Sequence, residues 1–324
     1  MCTAIIYTSG EHYFGRNLDL DHSYQETVTI TPRRYPLPFR RVPALRTHHA
    51  MIGMAFVTDG YPLYYDATNE RGLSMAGLNF PASASYRPEQ AGCDNVAPYE
   101  FIPWLLGRCA DLAQARALLA RINLVDIPFS AQLPLAPLHW LIADQSGAIV
   151  VEAMPEGLRV HDDPAGVLTN EPPFDYQMFH LCNHMQLTRE TPRNRFAPEL
   201  DLKPYCLGMG ALGLPGDLSS ASRFVRAAFT RLNSVSGPSE EERVSQFFHI
   251  LGSVAQTRGC ARAAGGRYEI TVYSSCCNMD RGVYYYTTYE NSQISAVDLH
   301  REDLEGDALI CYPLIREQRI HFQN

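Results

Sequence analysis

Met1-Cys2-Thr3-Ala4-Ile5-Ile6-Tyr7-Thr8-Ser9-Gly10-Glu11-His12-Tyr13-Phe14-Gly15-Arg16-Asn17-Leu18-Asp19 is the stretch from which the rest of the chain is read. Cys2 to Thr8 is dense in β-branched and aromatic residues, Ser9-Gly10-Glu11 is turn chemistry, and His12 to Gly15 reads as a returning strand. A hairpin this short brings Arg16 and Asp19 back to the first residues of the chain. The small residue at position 2 suits removal of Met1 by a methionine aminopeptidase, which leaves Cys2 with a free α-amine beside its own thiol. Such groups titrate near ~8 and ~8.5 when unperturbed, and pairing a nucleophile with an N-terminal amine is a recognised way of activating it. A fixed arginine cation favours the ionised form of a neighbouring thiol, and a carboxylate such as Asp19 holds a new ammonium by a charge-assisted hydrogen bond. The bland alternatives stand beside this reading. Cys2 is also what a small apolar residue opening a buried strand looks like, and Arg16 with Asp19 also suits a solvated surface pair.

Composition narrows the class. The 324 residues are 46% hydrophobic and 19% charged, ordinary for a globular chain with a sizeable core. A net charge of −8 argues against a nucleic-acid surface. Lys203 is the one lysine among 27 basic residues, and it sits in a loop-like Asp201-Leu202-Lys203-Pro204, so Schiff-base chemistry has little to rest on. The nine cysteines, at 2, 93, 109, 182, 206, 260, 276, 277 and 311, are odd in number and form no C-x-x-C pair. They read as the thiols of a reduced, cytoplasmic protein. There is no signal-peptide pattern and no apolar run of membrane-spanning length.

Along the chain, Glu26 to Thr31, Ala50 to Phe56 and Leu73 to Asn79 read as strands, with an irregular connection over 33 to 48 that carries five arginines and three prolines. Tyr99 to Cys109 and Asp111 to Ile122 are helical by period, with Asp111 as N-cap. Leu138 to Asp144 and Ala148 to Glu152 form a hairpin, Val167 to Asn170 a short strand, and Phe174 to Gln186 a helix. Asn79 and Asn170 each stand at a strand end beside prolines, a place for a turn former or for an amide donating into a cleft. His180 and His184 have a metal-compatible i, i+4 spacing but no third ligand in view, and a metal is not expected. Gly208-Met209-Gly210-Ala211-Leu212-Gly213 matches the dinucleotide-binding glycine pattern, yet Leu214-Pro215-Gly216 follows where a helix must open, so a nicotinamide oxidoreductase is not favoured. Arg223 falls in the first turn of a helix over Phe224 to Leu232, where the helix dipole gives a cation nothing; it is either merely exposed or held there by something else. A helix over Glu240 to Ala255 and strands at 268–274, 283–289, 294–299, 308–312 and 320–322 complete the chain. Strands at both ends with helices between suggest an α+β domain with antiparallel sheets and helical layers outside.

Met-Cys-Thr at the start, Phe14-Gly15-Arg16-Asn17-Leu18-Asp19, Ala76-Gly77-Leu78-Asn79-Phe80-Pro81, Gly166-Val167-Leu168-Thr169-Asn170, and Gly213-Leu214-Pro215-Gly216-Asp217 with Ser222-Arg223-Phe224 resemble, in order and spacing, the choloylglycine hydrolase family. These are the conjugated bile salt hydrolases and penicillin V acylases among the N-terminal-nucleophile hydrolases. The resemblance implies a four-layer αββα sandwich of two antiparallel sheets between helical layers, one domain over 1–324 with the mature chain beginning at Cys2. It implies no metal and no cofactor, no nucleic-acid or membrane partner, a homotetramer, and a role in lipid metabolism through bile acid deconjugation. Carried over residue by residue, Cys2 is nucleophile and, through its α-amine, base. Arg16 and Asp19 orient and polarise it, Asn79 and Asn170 supply the oxyanion environment, and Arg223 supports charge at the site. Leu18, Tyr24, Tyr65, Phe129 and Leu133 are the implied apolar contacts for a steroid. The bile-salt branch shares Asn79, where penicillin acylases tend to have tyrosine. The implied reaction is hydrolysis of the amide joining a bile acid to glycine or taurine; a penicillin V acylase and a non-catalytic bile-salt binder are the alternatives.

Overall fold

The computed structural model describes residues 1–324. The opening hairpin is β1 (Cys2–Ser9) and β2 (Glu11–Leu20), joined through Gly10 at φ +70°. Register pairs Cys2 with Leu18, Thr3 with Asn17 and Ala4 with Arg16. The returning strand thus runs past the expected Gly15, so Arg16 and Asp19 lie within β2 and not beyond its end.

The next strands are β3 (Thr27–Thr31), β4 (Met51–Thr58), β5 (Tyr61–Asn69) and β6 (Ser74–Asn79). β7 (Asp94–Val96), α1 (Phe101–Arg108), α2 (Leu112–Leu119) and β8 (Ile122–Leu124) follow. Then come β9 (Leu138–Asp144), β10 (Gly147–Met154), β11 (Gly157–Asp162), β12 (Val167–Leu168) and α3 (Phe174–His180). The chain closes with α4 (Ser220–Asn233), α5 (Glu240–Gly252), β13 (Ile270–Asn278), β14 (Val283–Thr288), β15 (Ser295–Asp298) and β16 (Ile310–Pro313).

One sheet has the order β12-β1-β2-β13-β14-β15 and the other β11-β10-β9-β6-β5-β4-β3-β16, all neighbours antiparallel. Helices α4 and α5 pack on the first sheet, α1 and α2 on the second. This is the expected αββα layering, and strand alternation builds it. On β4, Ile52 and Met54 face the core shared with the first sheet, whereas Met51 and Ala55 face the core under α1 and α2. On β9, Leu141 and Ala143 face one way and Trp140 and Ile142 the other. A strand apolar on both faces reads as a continuous hydrophobic run because each side has a layer to bury against. Each large apolar side chain buried this way is worth about 1.5–3 kcal/mol.

Two bulges interrupt the ladders beside residues singled out in the sequence. Met54 pairs with Asp66 but Ala55 pairs with Tyr64, leaving Tyr65 as an extra residue in β5. Asp19 pairs with Thr271 but Leu18 with Tyr273, leaving Val272 extra in β13. A bulge releases backbone groups from the ladder and re-aims side chains, and is common next to functional sites. Close approach of backbones fixes Gly15: a Cβ there would lie 2.0 Å from the Ser275 carbonyl oxygen.

Several expectations change. β5 and β11 were not anticipated; β5 follows the two-residue Asp59-Gly60 turn, whose φ values of +50° and +69° suit a tight hairpin. The helix expected over 99–109 is a 3₁₀ turn at Pro98–Glu100 followed by α1, with Cys109 extended. The helix expected to reach Ile122 stops at Leu119, because Ile122 begins β8; Asp111 caps it as expected, accepting from the Gln114 amide at 2.8 Å. The helix over 174–186 is α3 plus a 3₁₀ turn at Leu181–His184. No strand forms at 320–322, where Ile320 and Phe322 are exposed with no sheet edge to join.

Candidate active site

β1 delivers Cys2 to an interior position of the first sheet, 3% exposed. Its backbone is held from two sides. The Cys2 amide donates to Asn170 Oδ1 at 2.7 Å, and the Cys2 carbonyl accepts from Arg223 Nη1 at 2.5 Å. The same arginine donates to Thr3 Oγ1 at 2.6 Å, to Asn170 Oδ1 at 2.8 Å and, through Nε, to the Leu218 carbonyl at 3.0 Å. Arg223 lies in the first turn of α4 with no exposed surface. Burial pulls its pKa below the ordinary arginine value, against the charges of Asp19 and Cys2. Its placement against the helix dipole has this cause: four acceptors converge where that turn meets the start of β1.

Asn170, just beyond β12, joins the two sheets. Its Nδ2 donates to the Asn79 carbonyl at 2.7 Å while its own amide donates to Ser220 Oγ at 2.8 Å. Gln177 of α3 donates to the Asn170 carbonyl at 2.9 Å and to Thr169 Oγ1 at 3.0 Å. Asn79 ends β6 with its side chain exposed and free of hydrogen bonds to the protein.

Arg16 lies between the sheets, fully buried. Nη1 donates to the Tyr65 carbonyl at 3.0 Å and to the Gly77 carbonyl at 2.5 Å, and the first of these acceptors is the one freed by the β5 bulge. Nη2 has no partner. Burial by itself would lower the Arg16 pKa, but the negative charges of Cys2, Tyr273, Asp66 and Asp19 outweigh it and the cation is favoured. Asp19 is also fully buried: Oδ1 accepts from Thr271 Oγ1 at 2.6 Å and Oδ2 has no donor. Burial raises its pKa to about 6, against the pull of Arg223. Met1 covers this corner. Its ammonium donates to the Asp19 carbonyl at 2.8 Å and pairs with Glu269, and its carbonyl accepts from the Asp19 amide at 3.0 Å.

Next to Arg16 a cavity of about 340 Å³ opens between β4, β5, β6, β9 and the loop after β8, with 14 of its 18 lining residues apolar. Tyr65 and Gly77, whose carbonyls hold Arg16, form its inner wall. Of the five residues that the resemblance implies as apolar contacts, Tyr24, Tyr65, Phe129 and Leu133 line this cavity and Leu18 does not. Leu18 shares the Arg16 face of β2 and is 3% exposed in the core between the sheets, opposite Cys2 and Tyr273. Phe56, Leu63, Tyr99, Ile127, Leu135 and Trp140 are among the other lining residues, and sequence reasoning does not single them out because they come from segments far apart in the chain. Thr271, Ser220 and Gln177, which hold Asp19 and Asn170, were likewise missed: nothing local marks them.

The remaining motifs lead elsewhere. His180 and His184 approach to 3.3 Å between their Nε2 atoms, and no group of three or more His, Cys, Asp or Glu side chains is arranged to hold a metal. Gly208 adopts φ +83° ahead of a 3₁₀ turn, with no strand before it, so the glycine run lacks the βαβ context a dinucleotide needs. All nine cysteines are unpaired. No helix is long and apolar enough to cross a membrane.

Two antiparallel sheets between helical layers, with a cysteine opening an inner strand of one sheet and facing the other, define an N-terminal-nucleophile hydrolase fold. The chain belongs to the linear amide C–N hydrolases of the choloylglycine hydrolase family, whose model matches residues 2–312. It is 55% identical over the whole of both chains to a bile salt hydrolase/transferase of Lactiplantibacillus plantarum. Its structure matches the C2A mutant of the conjugated bile acid hydrolase from Clostridium perfringens with a TM-score of 0.92 at 37% identity, covering 100% of each chain. A penicillin V acylase from Agrobacterium tumefaciens shares the fold, with a TM-score of 0.74 at 20% identity over 95% of this chain and 90% of that one.

Proposed function

We propose that this enzyme hydrolyses the amide linking a bile acid to glycine or taurine. The observation that carries the reading is the apolar cavity whose wall includes Tyr65 and Gly77, the two residues that hold Arg16, and Arg16 shares its face of the β1–β2 hairpin with Cys2. An apolar pocket with a few polar anchors suits a steroid, and the relatives named as bile salt hydrolases support it. After removal of Met1, Cys2 Sγ attacks the carbonyl carbon while the α-amine takes the thiol proton. The tetrahedral oxyanion is held by the Asn79 side chain and Asn170. The amine returns the proton to the departing glycine or taurine nitrogen, and water then cleaves the thioester. The unpaired Asp19 Oδ2 supports the processing step, because a buried acceptor without a donor costs about 1–3 kcal/mol, and a freed ammonium at Cys2 is the donor that corner lacks. Arg16 Nη2, unpaired on the other side, faces the same need for an anion.

Side-by-side assay on glycocholate, taurocholate and penicillin V tests the reading. Release of glycine or taurine at the highest kcat/KM supports it; preference for penicillin V makes the enzyme an acylase, and bile-salt binding without turnover makes it a binder. Asn79→Ala is expected to fold and to lose on the order of a hundredfold in rate, about 3 kcal/mol of transition-state stabilisation, as for other single oxyanion donors. A near-parental rate would remove Asn79 from the role.

The pH profile should carry an acid limb as Asp19 takes up a proton, at or below the value of about 6 it has with Met1 in place, because the Cys2 ammonium favours the carboxylate. The carboxyl must be ionised to hold the ammonium, so kcat/KM falls as pH drops through that limb. Stability has the opposite sign: a folded pKa above the 3.8 of the free group means the unfolded chain loses this proton first, so the Asp19 contribution is lost as pH rises from 3.8 to about 6. Activity measured from pH 4 to 8 beside thermal melts would separate the two.

The same reading covers one folded domain over residues 1–324, a reduced cytoplasmic setting and a homotetramer. Nine free thiols support the second. The third is supported by Tyr176, Phe179, Met185, Phe196, Tyr205, Leu207 and Leu212, a run of exposed large apolar side chains that a second copy would cover. Native mass spectrometry reads the subunit number.

A further inference from the structure

His139 stands outside the machinery above, fully buried on β9, opposite Leu78 of β6 and Glu152 of β10. Its Nδ1 lies 3.1 Å from Glu152 Oε1 and its Nε2 lies 2.9 Å from the Thr169 carbonyl oxygen. Its ring stacks on Phe80, centroids 4.2 Å apart and planes inclined by 6°. Phe80 follows Asn79 and Thr169 precedes Asn170. One imidazole therefore touches the neighbour of each asparagine, one at the end of a strand in the second sheet, the other at the end of an edge strand in the first.

Glu152 is fully buried as well. Its Oε1 also accepts from the Phe174 amide at 3.0 Å, where α3 begins, and α3 in turn carries the Gln177 that holds the Asn170 carbonyl. The other ionisable group facing the pair is His161 of β11, whose Nε2 lies 3.7 Å from Glu152 Oε2. Both ring nitrogens of His139 thus face oxygen atoms held by other elements, one on β10 and one beyond β12. Neither residue lines the cavity. Filling the core does not account for them, since two apolar side chains of the same volume avoid the desolvation that a buried imidazole and carboxylate incur.

We propose that His139, oriented by Glu152, is a positioning residue that fixes Asn79 and Asn170 relative to one another by stacking on Phe80 and donating to the Thr169 carbonyl. The proposal rests on the reading of those asparagines as oxyanion donors. A group acting this way stabilises the transition state more than the bound substrate, so its loss falls on kcat with KM little changed.

The test compares His139→Phe, which keeps a stacking ring and deletes both polar contacts, with His139→Gln, which keeps a donor that can reach Thr169. Asn79→Ala and Asn170→Ala are assayed beside them. Each is measured for kcat and KM on glycocholate, thermal midpoint, and rate of Cys2 alkylation by iodoacetamide. His139→Phe is expected to lose about tenfold or more in kcat, a fraction of the loss for a whole oxyanion donor, with KM and alkylation rate near parental, and His139→Gln to recover part of it. A parental kcat in folded His139→Phe overturns the proposal, as does an alkylation rate that falls in step with kcat, which would mean general loosening. Should His139→Phe fail to fold, His139→Leu, which deletes the ring as well as both polar contacts, is judged by the same criteria. If both alanine variants keep the parental kcat, the oxyanion reading fails and this proposal with it. If they lose it and His139→Phe does not, the positioning role alone fails.

Discussion

Cys2→Ser is expected to retain the fold and to lose at least about three orders of magnitude in kcat, the scale seen when a catalytic nucleophile is disabled. The swap exchanges one buried atom for another of similar size, at a residue whose backbone is already fixed by Asn170 and Arg223. The packing therefore has little reason to move. What changes is the chemistry: a hydroxyl is far less acidic than a thiol, so one amine cannot raise it to a comparable nucleophile at neutral pH. Intact mass must first show that Met1 has been removed from both proteins, because Met1 occupies the corner beside Asp19 and leaves the Cys2 nitrogen an amide. A processed serine variant within about tenfold of the parent would place the nucleophile elsewhere. A parent that keeps Met1 and still turns over would deny the amine its part as base.

Arg223→Met is expected to give a smaller but still large loss by a different route. Cys2 O, Thr3 Oγ1, Asn170 Oδ1 and the Leu218 carbonyl each lose a donor. Removing one partner from a buried charged network typically costs about 3–5 kcal/mol. Part of this will appear as a lower thermal midpoint. The rest falls on catalysis, since the first residue of β1 and the asparagine joining the two sheets are no longer tied together, and about a hundredfold loss in kcat/KM is expected if 2.7 kcal/mol of the total does so. Far-UV circular dichroism establishes that the variant is folded. A folded variant with parental kcat/KM would show that the start of β1 holds its place without the clamp.

The order of elements in the sequence suggests antiparallel sheets with helical layers outside, and the four-layer form is what the family resemblance implies. β4 and β9 are apolar at successive positions, which only a strand with a layer on each side can satisfy. Turn chemistry marked the first hairpin, and Asp111 marked the start of α2. β5 was hidden for a physical reason. Tyr61-Pro62-Leu63-Tyr64-Tyr65-Asp66-Ala67-Thr68-Asn69 carries a proline and an aspartate that argue against a buried strand, yet Asp66 is buried because Tyr273, Tyr284 and Ser275 each donate to it. Those donors lie more than two hundred residues away.

The site divides along the same line. Residue types and order mark Cys2, Arg16 and Asp19 as candidates, since a nucleophile beside its own amine and a hairpin returning to it are local features, but leave Asn79, Asn170 and Arg223 open; the roles of all six are carried over from the family resemblance. Their bonding was a tertiary matter. Arg223 holds the backbone of Cys2 because α4 begins there, the β5 bulge offers Arg16 a free carbonyl, and Leu18 is turned into the core by the alternation of β2. His139 and Glu152 are ordinary strand residues in the sequence. Only the antiparallel register of β6, β9 and β10, with the end of β12 crossing beside them, brings the pair behind both asparagines. Local chemistry is written residue by residue, whereas register and layer packing depend on which distant strands meet, and that is decided when the whole chain buries its apolar surface at once.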